Sequence, residues 1–289
     1  HLAVNYLNEL IGGTNLYRND AKRVEAVKLS SNNDMKQLAS NISSGKIGTL
    51  VTMNTNPAYN MPKAFNESAM SKVKTHVALT EFENETTLNA DYVIGINHDI
   101  ESWGDAKTRT GYYTTQQPVI APLYDTRQTE AILLNWMNGG ENYSEDIYHK
   151  YLQNNWESNI YPDLGKSVNF KEFWYAALHE GVVTHSEMSL STNAFNQASV
   201  SGIKPTKKSN FSVIIQESPF IRDGKYAGNG FLQESPHPIT KITWDNTAMM
   251  SPATAEELGV KMGDLVEVSL NTTLNPLTEV VKLATGAVQ

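Results

Sequence analysis

The chain has 289 residues, 40% of them hydrophobic and 19% charged, enough apolar material for a packed core and for about two domains at usual domain sizes. Lys and Arg number 23 and Asp and Glu 31, so the net charge is −8, without the broad positive field that phosphate backbones attract; this argues against nucleic-acid binding. Cysteine is absent, which removes disulfides, Cys-ligated zinc, a Cys nucleophile and Cys-ligated iron–sulfur clusters from this stretch.

In chain order, Val4, Leu7, Leu10 and Ile11 form a helical stripe that Gly12 and Gly13 stop. A helix is expected over Met35–Ile42, ended by Gly45, then a buried strand from Ile47 to Met53 closed by the turn Asn54-Thr55-Asn56-Pro57. A helix over Asn66–Val73, a strand from His76 to Leu79, a short helix from Glu83 to Ala90 and a strand from Tyr92 to Ile96 follow. Strand–helix alternation at this spacing predicts a parallel sheet with covering helices, with Val51, Val77 and Val93 central and buried. Its ligand edge should lie at the C-terminal ends of the strands, near Asn54–Pro57, Thr80–Glu85 and Asn97–Gly104.

Gln117–Tyr124 contains two prolines and reads as extended. Asp125 with Gln128 forms a capping-box pattern for a helix running through Leu134 and Met137. Helices over Ser144–Glu157 and Phe170–His179 place Tyr148, Tyr151, Trp156, Phe173 and Trp174 near helical spacing, the pattern of core packing. Ser186–Ser212 is rich in Ser, Thr, Asn and Lys and reads as a linker or long surface loop. Beyond it a strand is expected over Phe211–Gln216, a hairpin turn in the Gly-rich stretch Asp223–Gly230, and a strand over Ile239–Trp244. Ser251 and Pro252 open a helix that Gly259 ends, and Gly263-Asp264 turns into a strand from Leu265 to Leu270.

No apolar run approaches the roughly 18–20 residues that span a bilayer. The chain opens on His1 without Met and closes on apolar, strand-like residues, so we expect an excised piece of a longer protein. The residues carry few catalytic patterns. Gly224, Gly228 and Gly230 lack the spacing of a phosphate loop. His179 and His185 are not at a metal-ligand spacing, His98 beside Asp99 and His237 between prolines read as structural, and no nucleophile elbow is present. The sequons at Asn66, Asn84 and Asn142 are expected by chance in an Asn-rich chain. Pro57 fixes φ, and Asn54 and Asn56 offer amides at a strand end, which suits a ligand edge; a plain strand-to-loop turn suits the same residues. Glu81, Glu83 and Glu85 read as solvated acids at a helix start, and would repel a pyrophosphate.

Two boxes carry a family resemblance. The first runs from Asn56-Pro57 through Thr80-Glu81-Phe82-Glu83-Asn84-Glu85-Thr86, Ala90-Asp91-Tyr92-Val93 and Glu101-Ser102-Trp103-Gly104 to Gly111 and Gln117-Pro118. It resembles the third domain of the molybdopterin oxidoreductase superfamily. The second, Leu232 to Pro238 followed by Ser251-Pro252, Ala255, Leu258-Gly259-Val260 and Gly263-Asp264-Leu265-Val266, resembles that superfamily's C-terminal dinucleotide-binding β-barrel. The resemblance implies an α/β fold: a Rossmann-like parallel-sheet domain with a helical extension over 1–205, then a mainly β, double-psi-barrel-like but incomplete domain over 206–289.

Ala3-Val4-Asn5-Tyr6-Leu7-Asn8, Glu101-Ser102-Trp103-Gly104-Asp105 with Lys107-Thr108-Arg109-Thr110-Gly111, and Tyr148-His149-Lys150-Tyr151-Leu152 are similar to the large iron–sulfur subunit of alternative complex III, a quinol-oxidising respiratory complex. What this implies is a parent protein on the periplasmic side of the cytoplasmic membrane, partnered by other subunits of a membrane complex, with its iron–sulfur clusters elsewhere in the parent. The residues at a vestigial dinucleotide site would be Asn54, Asn56, Pro57, Glu101, Gly104, Gln216 and Ser218. Where cofactor-binding members have a Thr-Gly-Arg-like turn, this chain reads Ile215-Gln216-Glu217-Ser218, an acid in place of a base. The expectation is a scaffolding stretch with no cofactor, metal or catalytic residue of its own. The rival expectation is part of a molybdopterin-dinucleotide site in a true oxidoreductase.

Overall fold

Short-range capping chemistry sets many of the helix ends. The structure, a computed structural model, describes residues 2–16, 29–109, 111–141, 143–164, 167–184, 196, 198, 200, 211, 213–214, 218–222, 224–245, 247–268 and 286–288. In chain order these hold α1 (Leu2–Leu10), α2 (Asn32–Ser43), β1 (Thr49–Met53), α3 (Pro57–Asn60), α4 (Glu67–Met70), β2 (Thr75–Thr80), β3 (Tyr92–Gly95), β4 (Gly104–Arg109), β5 (Tyr112–Gln116) and α5 (Thr129–Met137). Then come α6 (Ile147–Asn159), α7 (Tyr161–Leu164), α8 (Phe170–Glu180), β6 (Val182–Thr184), α9 (Gly230–Glu234), β7 (Thr247–Ala248), α10 (Pro252–Leu258), β8 (Leu265–Val266) and β9 (Gly286–Val288). Ser31 and Asp34 form a reciprocal capping box on α2, and Asn169 and Gly181 cap the two ends of α8. Ser251 and Gly259 do the same for α10, Gly259 with φ +69°. Gly263, with φ +91°, makes the turn into β8.

The chain divides into two compact units that interleave in sequence: 1–29, 99–121 and 130–215 in one; 30–98, 122–129 and 216–289 in the other. The second unit holds the expected parallel sheet, order β1-β2-β3, with Val51 opposite Val77 and Ala78 opposite Val93. Ile42, Ala64, Phe65, Ala69, Met70 and Val73 form its apolar cluster, with Leu50 and Leu38 packed against it. A small mixed sheet, order β7-β9-β8, also lies in this unit.

The first unit is built on the antiparallel sheet β4-β5-β6. Leu152, Trp156, Ile160, Phe173, Trp174 and Ala177 form its core, bordered by Trp103, Tyr113, Tyr148 and Phe170. The aromatics expected to pack do so, apart from Tyr151, which is exposed but stacks on Tyr148. Trp156 is fully buried, and its indole N–H donates to Asp105 Oδ2 at 2.8 Å, so the largest core side chain is tied to β4 by a charge-assisted bond.

The structure corrects several expectations. Val51 and Val93 are 37% and 48% exposed and Val77 is half-buried; burial concentrates instead at Ala78, Leu79 and Thr80, the C-terminal end of the central strand. β3 is an edge strand of this sheet, which leaves Val93 and Tyr92 open to solvent. The apolar stripe of α1 is helical but exposed. The helix expected over 83–90 is only a 3-10 turn at Thr87–Asn89.

Asp125 does not cap α5. It accepts from Arg127 Nη1 at 2.7 Å, while Arg127 pairs with Ile96 at the sheet edge, and the helix starts at Thr129. The described residues of the 211–216 run are not in a strand, and those of 239–244 form irregular backbone in which Lys241 and Trp244 take positive φ. Strand propensity there yields to local turns, such as His237 Nδ1 accepting from the N–H groups of Ile239 and Thr240, each at 3.2 Å. The Gly-rich stretch is not a hairpin: its turns run directly into α9, capped by Asn229. The 186–212 stretch lies almost wholly outside the described residues, as do Asn142, His185, Gln216 and Glu217.

Candidate functional site

Strand polarity brings the ends of β1, β2 and β3 together at one edge of the parallel sheet, where α/β folds place their ligands. β1 leaves the sheet through Asn54, held at φ +47° by its N–H donating to Leu79 O at 2.7 Å; Asn tolerates this left-handed conformation better than most residues. Pro57 then takes the first position of α3, where its missing N–H costs nothing.

The side chains of this edge bond to one another. Asn54 Nδ2 donates to Glu81 Oε1 at 2.7 Å. Asn56, with no exposed surface, donates from Nδ2 to Glu85 Oε2 at 2.6 Å and accepts from Thr86 Oγ1 at 2.8 Å. Thr86 Oγ1 in turn accepts from Ala58 N at 3.0 Å, so α3 is tied to the loop after β2. Both amides read from the sequence as ligand donors are thus engaged with carboxylates of the same chain.

Glu81 is not a solvated acid at a helix start. Its side chain is 9% exposed, with Lys225 Nζ 3.3 Å from Oε1 and His98 Nε2 4.0 Å from Oε2. Burial of this carboxylate is made tolerable by an opposite charge and a hydrogen bond, since an uncompensated one costs several kcal/mol, roughly 3–5. Glu83 and Glu85 are exposed.

Sequence reasoning missed Lys225. Gly224, at φ +94°, lies against Tyr59 so closely that a Cβ would sit 2.4 Å from the ring's Cδ1. Only glycine fits against Tyr59 of α3, and the next residue, Lys225, pairs with Glu81. A lysine beside an obligatory glycine was the available signal; the pairing itself depends on residues remote in sequence.

Ser218 is a local turn residue whose Oγ accepts from the N–H groups of Phe220 and Ile221. Glu101 ends a 3-10 turn at Asp99–Glu101, and Gly104 opens β4 opposite Gln116; both belong to the first unit, whereas Asn54, Asn56 and Pro57 belong to the second. Near the sheet, His76 is buried between Thr52 Oγ1, 3.0 Å from Nε2, and Asn89 O, 3.4 Å from Nδ1; burial holds its pKa below the ordinary histidine value. In the first unit His149 stacks on Trp103 at 3.9 Å and is shifted the same way, again by burial. Burial, with Asp105 and Glu130 nearby, raises the pKa of Tyr148. Among the described residues no group of three or more His, Asp or Glu could hold a metal ion, and no helix is long and apolar enough to cross a membrane.

No protein-family model matches the chain. Over 103 residues it is 35% identical to the menaquinone reductase, molybdopterin-binding-like subunit of Nitratidesulfovibrio vulgaris, a match covering 32% of this chain and 15% of that protein. The chain bears a partial likeness to the molybdopterin oxidoreductase superfamily. The matched stretch spans less than a sixth of that relative's length. Acetylene hydratase from Pelobacter acetylenicus superposes with a TM-score of 0.47 at 14% identity, over 81% of this chain and 35% of that one, a likeness too loose to argue from.

Proposed function

We propose that this chain is a stretch of a molybdopterin-oxidoreductase-like subunit of a respiratory, quinone-handling membrane complex, and that it serves there as scaffold and docking surface without a redox centre of its own. Support for the subunit comes from the sequence shared with a molybdopterin-binding-like subunit of a menaquinone reductase. The finer assignment is to alternative complex III, on the periplasmic side of the cytoplasmic membrane, with iron–sulfur clusters elsewhere in the parent. It rests on the Glu101–Gly111 and Tyr148–Leu152 wording. The division at residue 205 into an α/β domain and a barrel-like domain belongs to the same reading.

The observation that carries the scaffolding role is the bonding of the sheet edge. A dinucleotide brings a pyrophosphate, which needs free N–H donors and positive charge. Here Asn54 and Asn56 already donate to Glu81 and Glu85, and the nearest cation is paired with Glu81. This donor set does not fit an anionic dinucleotide, so no chemical step is assigned to one. The likeness to a molybdopterin-binding-like subunit favours the rival, in which the parent carries that cofactor.

Metal and pterin analysis of the full-length parent separates the two. The expected result is iron without stoichiometric molybdenum or pterin; one molybdenum and its pterin per subunit would establish the rival. For the chain itself, guanosine diphosphate should give no saturable heat in calorimetry at low salt, where attraction is least screened. Micromolar binding abolished by Asn56→Ala would overturn the scaffolding role.

A further inference from the structure

We propose that the C-terminal edge of the parallel sheet is an anion site closed by the chain's own carboxylate, with Glu81 in the place that a phosphate oxyanion would take. The proposal rests on the reading above that this edge holds no dinucleotide, and adds why.

The groups around Glu81 are those that bind phosphate. Asn54 Nδ2 reaches Oε1 at 2.7 Å, Lys225 Nζ reaches the same oxygen at 3.3 Å, and His98 Nε2 lies 4.0 Å from Oε2. They come from three places: the turn after β1, the segment before α9, and the loop after β3. The backbone at or beside each is held by contacts that do not involve Glu81. Asn54 is fixed by its backbone bond to Leu79, Lys225 by the seating of Gly224 on Tyr59, and the neighbouring Asn97 by its N–H donating to Arg127 O at 3.1 Å and its Oδ1 accepting from Thr126 at 2.7 Å. A cradle fixed by its own backbone persists when the group inside it changes, which is the condition for a preorganised site.

Glu81 is enclosed, its side chain 9% exposed, whereas Glu83 two residues on is free in solvent. A largely enclosed carboxylate with one amide at bonding distance and one lysine at ion-pair distance uses the same donors that charge-assisted bonds to a phosphate oxygen use. The class of ligand this cradle would take is a small phosphate oxyanion, free or as the diphosphate of a nucleotide. In the native chain Glu81 competes with it at an effective concentration no free ligand matches, because it is tethered beside the cradle.

The test removes the tethered anion and supplies a free one. Inorganic pyrophosphate titrated into the native chain at low salt should give no saturable heat. The same titration into Glu81→Gln should give saturable binding at least tenfold tighter, lost again in the double variant Glu81→Gln, Lys225→Met. Guanosine diphosphate run beside pyrophosphate distinguishes a site for the anion alone from one that also takes a nucleoside. Glu81→Ala provides a second readout that does not require native stability. Formate should raise its Tm in a saturable way, beyond chloride at equal ionic strength, and leave the native chain unmoved.

Pyrophosphate binding no tighter in Glu81→Gln than in the native chain, binding indifferent to Lys225→Met, or no formate-specific rescue of Glu81→Ala would each overturn the proposal. Tight pyrophosphate binding by the native chain itself would overturn both this proposal and the scaffolding role. Failure of the variants alone leaves that role standing.

Discussion

A buried ring in the first unit of this chain and a buried polar edge in the second are satisfied by opposite means. The first surrounds Trp156 with rings, Trp174 edge-on at 5.5 Å and Tyr113 at 6.4 Å, and adds one hydrogen bond to Asp105. The second places at its sheet edge the fully buried Asn56 and the largely enclosed Glu81, whose side chains bond to partners distant in sequence. An aromatic cluster tolerates substitutions of similar shape, because dispersion and area carry it. A polar lattice tolerates almost none, because each lost partner strands another buried group.

The largest effect expected is Trp156→Ala, which should cost about 3–5 kcal/mol in urea unfolding of the first unit, as large-to-small core changes do. Trp156→Phe should cost clearly less, since it keeps a six-membered ring and loses the pyrrole half with its bond to Asp105; equal losses would mean that the pyrrole half and its bond, not the packing of the six-membered ring, hold this core. Asn56→Leu should cost roughly 1–3 kcal/mol, since it leaves the buried Thr86 hydroxyl without its acceptor. A neutral outcome there would break the contrast between the two units.

Acid should act on both units. His76 and His149 are held below the ordinary histidine value of 6.5 by burial, so the unfolded chain takes up their protons first. Stability is full above pH 6.5 and falls as the pH drops from there toward the folded-state values. His76→Gln should flatten that slope, measured as Tm against pH. The smallest effect is Gly259→Ala, about 1 kcal/mol, because φ is +69° and a Cβ would meet nothing within 4 Å, so the cost is the backbone conformation alone.

What the sequence disclosed follows the reach of its signals. The parallel sheet and α10 were legible because alternation of strands and helices, a Ser-Pro start and a Gly stop are local. The place of Asn54–Pro57 at the C-terminal end of a parallel strand was legible from strand order alone. The burial of Val51, Val77 and Val93 was misjudged because apolar runs do not reveal which part of a sheet is covered. Glu81 was misread as solvated because its acidic neighbours are; Lys225, which alters its character, comes from a segment that reads as a turn. Asp125 was misassigned because Arg127 is drawn into the sheet edge, a tertiary pairing with no mark in the local sequence.

The clustering of rings in the first unit has an optical consequence. Of the five tryptophans, Trp103, Trp136, Trp156 and Trp174 lie in the first unit, and only Trp244, already 61% exposed, lies in the second. Intrinsic fluorescence of the native chain therefore follows mainly the first unit, where Trp156 lies beside a carboxylate and the rings of Tyr113, Phe173 and Trp174. Loosening of the parallel sheet is nearly silent at these wavelengths. A melting curve read by fluorescence samples chiefly the first unit, and one read by far-ultraviolet dichroism samples the helices and strands of both, so their divergence would time the order in which the units give way.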